Sequence, residues 1–93
     1  MKKVKNVYKS KKLIRVFLEY NEYNKTIHTI KITGDFFVYP EESIEKLEKI
    51  LIGSKLEKDI IKQRIEVALK DSETFGFDSE SMVEAILRCV NDR

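Results

Sequence analysis

Few side chains in this 93-residue sequence have the types and spacing that chemistry demands. His28 is the only imidazole. A general base or metal ligand would start there, but both need partners. It alternates with Ile30 and Ile32, which places it on the apolar side of a strand as a structural residue. Cys89 is the only thiol, so it closes no internal disulfide. A nucleophile or a zinc site needs neighbours that the chain does not supply, and Cys89 reads as a small helix residue in a protein of the reducing cytoplasm. Gly34, Gly53 and Gly76 lie too far apart for a phosphate-cradling loop. No HExxH, paired-cysteine or calcium-loop spacing occurs. The expectation is a chain with no catalytic residue, no metal ligands and no cofactor bound by this chain alone.

Two clusters remain. Residues 1–12 carry six lysines and no acid, while the whole chain has a net charge of +2, so residues 13–93 sum to −4. A basic segment on a mildly acidic body attracts anions: a nucleotide, a nucleic acid or an acidic protein surface. Lys9, Lys11 and Lys12 stand closest to the ordered part and are the candidates for facing an anion. The second cluster is Gly34-Asp35-Phe36-Phe37. Gly34 permits a tight turn or close backbone approach, and Asp35 suits a turn. Two consecutive phenylalanines in extended chain point to opposite sides. One belongs in the core and the other needs a second surface to cover it.

The elements that position these clusters change character near Pro40. Leu13–Tyr20 alternates, with Ile14, Val16, Leu18 and Tyr20 on one side. Thr26–Thr33 alternates as well, and the polar Asn21–Lys25 between them predicts a hairpin. Val4–Tyr8 offers a third strand. After Pro40 the period becomes helical. Pro40, Glu41 and Glu42 suit the first turn of a helix striped by Ile44, Leu47 and Leu51, with Gly53 as its stop. Ser54-Lys55-Leu56-Glu57 matches a capping box ahead of a second helix bearing Leu56, Ile60, Ile61, Ile65, Ala68 and Leu69. Asp71–Phe77 interrupts the pattern. Asp78 or Ser79 caps a third helix, striped by Val83, Ile86, Leu87 and Val90. Strands followed by helices predict an α+β fold: a small antiparallel sheet of two to three strands, then about three helices packed on one face. The length allows a single domain over 1–93, with a basic arm at 1–12, a β-hairpin at 13–37 and a helical part at 40–92. No apolar run reaches the ~20 residues of a membrane helix, and no signal segment follows the basic N-terminus.

Residues 12–53 carry a resemblance. The run Lys12-Leu13-Ile14-Arg15-Val16, the turn Ile30-Lys31-Ile32-Thr33-Gly34-Asp35-Phe36-Phe37, the helix from Pro40-Glu41-Glu42 and the close at Leu51-Ile52-Gly53 follow one pattern. It is similar to the C-terminal accessory domain of lipoate–protein ligase A, and Phe77–Ile86 extends the likeness over nearly the whole chain. That family makes lipoyl-AMP from lipoate and ATP, and transfers the lipoyl group to a lysine of lipoyl-domain acceptor proteins. The large catalytic domain, with its arginine- and glycine-rich signature, is absent from this sequence. The resemblance therefore implies a separate accessory subunit of a cytoplasmic two-chain enzyme, supporting activation and bound to a large catalytic subunit. The complex would use ATP, Mg²⁺ and lipoate. Gly34 and Asp35 form the family's turn motif, and Phe36 and Phe37 become partner-interface candidates. The family's glycines before the first strand are replaced by Ser10 and Lys11. The alternative from a different class is a stand-alone nucleic-acid-binding module using the basic N-terminus. It lacks an RRM aromatic motif or GxxG loop, which makes nucleic acid the weaker partner.

Overall fold

The computed structural model describes residues 1–90. Among them the chain runs β1 (Lys2–Lys9), β2 (Leu13–Asn21), β3 (Thr26–Gly34), β4 (Phe37–Tyr39), α1 (Ser43–Leu51), α2 (Lys58–Ala68), β5 (Glu73–Phe75) and α3 (Ser79–Leu87). The expected end of the helical part, residues 91 and 92, lies outside the described residues.

β1, β2 and β3 form an antiparallel meander with β2 in the centre. The segment expected as a basic arm is therefore mostly strand, paired from Lys2 with Tyr20 to Lys9 with Leu13. Its own alternation explains this. Val4 and Tyr8 turn toward the core and are half-buried, while Lys3, Lys5 and Lys9 turn to solvent. Asn6, between them on the inner side, donates through its amide nitrogen to the Ala85 carbonyl at 3.1 Å, tying β1 to α3.

The alternation of β2 holds in full: Ile14, Val16, Leu18 and Tyr20 are all buried. β3 departs from expectation at His28. The register shifts between Glu19 and Tyr20, so that Glu19 pairs with Thr29 and Tyr20 with Ile27. His28 is the extra residue of a bulge and is exposed, rather than sharing the inner face with Ile30 and Ile32. Ile27 takes the buried position instead.

α3 covers β1 and β2, α1 covers β3, and α2 packs against both helices. Leu47 and Leu51 from α1, Ile61 and Ile65 from α2, and Met82 and Ile86 from α3 are fully buried over the sheet. Two helix starts differ from expectation. Pro40, which follows a cis peptide bond, stands ahead of α1. Its carbonyl accepts from Ser43 N–H in a turn, and the helical ladder begins with Lys46 N–H to the Glu42 carbonyl, both at 3.0 Å. Ser54 does not cap α2, which starts at Lys58. Its carbonyl accepts from Ile27 N–H at 2.9 Å, which holds the residue against β3 and away from the helix end. Asp78 does cap α3, accepting from Ser81 N–H at 2.8 Å while the Ser81 hydroxyl accepts from Asp78 N–H.

Candidate functional site

One end of the sheet gathers three connections: the β1–β2 turn, the β3–β4 junction and the link from α2 to α3. Lys12 N–H donates to the Gly76 carbonyl, and Asp35 N–H donates to the Leu13 carbonyl, each at 3.1 Å. The turn motif is thus locked to the lysine-bearing turn. Gly34 sits where a Cβ would lie 2.1 Å from the Leu13 carbonyl oxygen, closer than any side chain tolerates. Gly76 has φ +99°, and a Cβ there would meet the Lys12 side chain at 2.6 Å.

The two phenylalanines divide as extended geometry requires. Phe36 turns inward and meets buried Phe77 edge to face, with centroids 4.9 Å apart. Phe37 turns outward and is 58% exposed. It opens a ribbon that the sequence did not reveal. β4 pairs antiparallel with β5, which runs through the segment read as a break in pattern, and Phe37 lies opposite Phe75 with centroids 6.2 Å apart. Tyr39 follows on the same side of β4. Tyr39 and Phe75 are 63% and 53% exposed, so the ribbon presents three aromatic rings to solvent. Val38 points the other way and is buried. Tyr39 and Phe75 were missed because a three-residue strand has too few positions to display a period; the Glu-Thr-Phe alternation before Gly76 is its only trace.

The three lysines belong to two neighbouring elements, β1 and the β1–β2 turn. Lys9 projects from the outer side of β1, whereas Lys11 and Lys12 stand on the turn beside Gly76 and Asp78. Asp78 is held below its ordinary carboxylate range, first by the Ser81 backbone N–H, then by the Ser81 side chain and the charge of Lys11. Cys89 is buried, its thiol 3.7 Å from the Ala85 carbonyl. Among the described residues no three His, Cys, Asp or Glu side chains converge as a metal site would require, and no helix is long and apolar enough to cross a membrane.

The chain is thus a small α+β domain with a glycine-dependent turn and an aromatic ribbon whose outer side the fold leaves exposed. The chain belongs to the family of the bacterial lipoate protein ligase C-terminus, whose pattern matches residues 10–86. It is similar to lipoate-protein ligase A subunit 2 of Thermoplasma acidophilum, with 39% identity over 84 residues that span 88% of this chain and 84% of that protein. Its fold matches a chain from a solved archaeal lipoylation system, a bi-partite lipoate protein ligase and its E2 lipoyl domain from Thermoplasma acidophilum. There the TM-score is 0.81 at 36% identity, covering 91% of this chain and 94% of the other.

Proposed function

We propose that this chain is the accessory subunit of a two-chain, cytoplasmic lipoate–protein ligase. It docks on a large catalytic subunit and supports the ATP-dependent activation of lipoate to lipoyl-AMP. The large subunit then passes the lipoyl group to a lysine of a lipoyl-domain acceptor. The observation that carries this is the likeness, over most of both chains, to the second subunit of a ligase that exists in two parts.

The geometry supports a division of labour. The ribbon of Phe37, Tyr39 and Phe75 has the composition of an interface centre, where aromatic side chains are enriched. Lys11 and Lys12 stand at the same end of the sheet. Lipoate and ATP are both anionic, and activation brings a carboxylate against the α-phosphate, so cations at that rim offset the repulsion. A domain docked over the adenylate also excludes water from a mixed anhydride that water would hydrolyse. Any Mg²⁺ the complex uses would supply further positive charge beside the phosphates.

The test is reconstitution. The pure chain should release no pyrophosphate from ATP in the presence of lipoate. A catalytic subunit lacking its own accessory domain should release it only when this chain is added. Equal activity of the catalytic subunit with and without this chain would defeat the proposal.

A further inference from the structure

The helices cover one face of the three-stranded sheet and leave the other open. On the open face the strand register sets side chains in rows. Lys5 faces Phe17, which faces Lys31; Val7 faces Arg15, which faces Thr33. These two rows line a half-open groove of about 420 Å³. A volume of a few hundred cubic ångströms is that of a small-molecule site, whereas a protein partner covers a broad surface. The groove crosses three strands, about 10 Å at the usual strand spacing. Val7 and Phe17 give it an apolar floor and are 60% and 39% exposed. Lys5, Arg15 and Lys31 surround that floor, and no carboxylate lines it. Glu19, in the next row, is engaged by Lys3 at 3.9 Å.

The floor favours apolar matter and the three cations favour an anion, so the matching ligand joins both in one small molecule. Inorganic phosphate would leave the floor in water. A nucleic acid needs a series of rings to stack on, and Phe17 is the one aromatic side chain in the lining. An uncharged acyl chain would gain nothing from the cations. Arg15 stands between Val7 and Thr33 in its row, and a guanidinium presents paired donors that match the two oxygens of a carboxylate. We propose that the open sheet face carries a binding groove for a medium-chain monocarboxylic acid, its carboxylate held by Arg15 and Lys31 and its apolar chain lying along Phe17 and Val7. Exposed cations attract modestly and are screened by salt, so the site is weak and exchanges rapidly. Binding needs this chain alone. Lipoate belongs to the same chemical class, so on the ligase reading the face holds the reaction's own acid beside the subunit that consumes it. The site itself does not depend on that reading.

The experiment titrates the full chain with octanoate and follows its backbone amide resonances. Octanoate should bind saturably with a Kd of about 1 mM or below, and the resonances that move should be those of the groove in β1, β2 and β3. Acetate, which lacks the chain, and octanamide, which lacks the charge, should each bind at least tenfold more weakly. Arg15→Gln/Lys31→Gln and, separately, Phe17→Thr should each raise the octanoate Kd at least tenfold, with melting curves that match wild type. If Phe17→Thr does not fold, the double variant and the two control ligands carry the test. Absence of saturation at ten times the expected Kd would overturn the proposal. So would acetate binding as well as octanoate, which is plain charge attraction, or octanamide binding as well, which is unspecific apolar contact. Resonance changes confined to the ribbon or the helices would overturn it too. Reconstituted adenylation decides the ligase reading separately, so either can fail without the other.

Discussion

The two sheets of this molecule use the same alternation for different ends. In the three-stranded sheet the inner positions of β2 and β3 meet α1 and α3, and every large apolar side chain there is buried. In the two-stranded ribbon the inward positions are Val38 and the half-buried Thr74, while Phe37, Tyr39 and Phe75 face solvent. A two-stranded ribbon alone is marginal in water. This one is held by its inner side and by the turn beneath it, which frees its outer side from any structural task. Surface that the fold does not need is surface available to a partner, and three exposed rings on one short ribbon exceed the scattered apolar residues of an ordinary surface.

The largest effect that would break this contrast lies at the hinge between the two sheets. Gly34→Ala places a Cβ against the Leu13 carbonyl oxygen. Backbone must move to accept it, and a loss of more than about 4 kcal/mol is expected, measured by chemical denaturation of the isolated chain. Wild-type stability would mean that the turn is looser than the structure shows.

Phe36→Ala and Phe37→Ala sharpen the contrast most directly, because the residues are neighbours. Removing Phe36 from its contact with Phe77 should cost about 3 kcal/mol in stability. Removing Phe37 should change the stability of the free chain by less than about 0.5 kcal/mol, yet raise the dissociation constant for the catalytic subunit at least tenfold, about 1.4 kcal/mol. Calorimetry of the free chain and titration of the pair separate the two. Equal behaviour of the two variants would remove the distinction between inner and outer ring.

A smaller effect belongs to the cap of α3, beside the ribbon. Asp78→Ala should cost about 1 kcal/mol at neutral pH. The Asp78 carboxylate is held below its ordinary range, near 3.8, by its bond to Ser81. Its charge-dependent contribution is thus present above that ordinary value and disappears as pH falls through the lower folded value. The gap between wild type and variant should be constant from pH 7 to 5 and narrow below about pH 4, in melting curves recorded across that range. A gap that widens in acid would reverse the assigned sign.

The smallest effect expected is catalytic. Neutralising Lys11 and Lys12 together should slow adenylate formation by less than tenfold and leave transfer from supplied lipoyl-adenylate unchanged. Two exposed cations act through screened attraction, so raising salt should erase the difference. Lys9, which projects from the outer side of β1, is left unchanged in this variant.

What composition and spacing settled is local. β2 was legible because four buried residues recur at period two over an uninterrupted run. The α3 cap was legible to within one residue, Asp78 or Ser79, because a short polar side chain ahead of a helical stripe satisfies orphan N–H groups within one turn of chain. The opposed pair Phe36 and Phe37 followed from extended backbone alone, and family membership followed from the turn motif and its flanks. The rest depended on segments far apart in the chain. His28 reached solvent only because Tyr20 pairs with Ile27 across a bulge. Ser54 left the helix end because Ile27 N–H claims its carbonyl. The strand expected at Val4–Tyr8 formed, and its extension to Lys2–Lys9 came from pairing along the full edge of β2. The ribbon exists because residues 37–39 and 73–75 close on each other around Gly76 and the Lys12 turn. Periodicity records which side of an element is apolar; which distant partner takes each hydrogen bond, and which apolar side stays uncovered, is decided only when the elements pack.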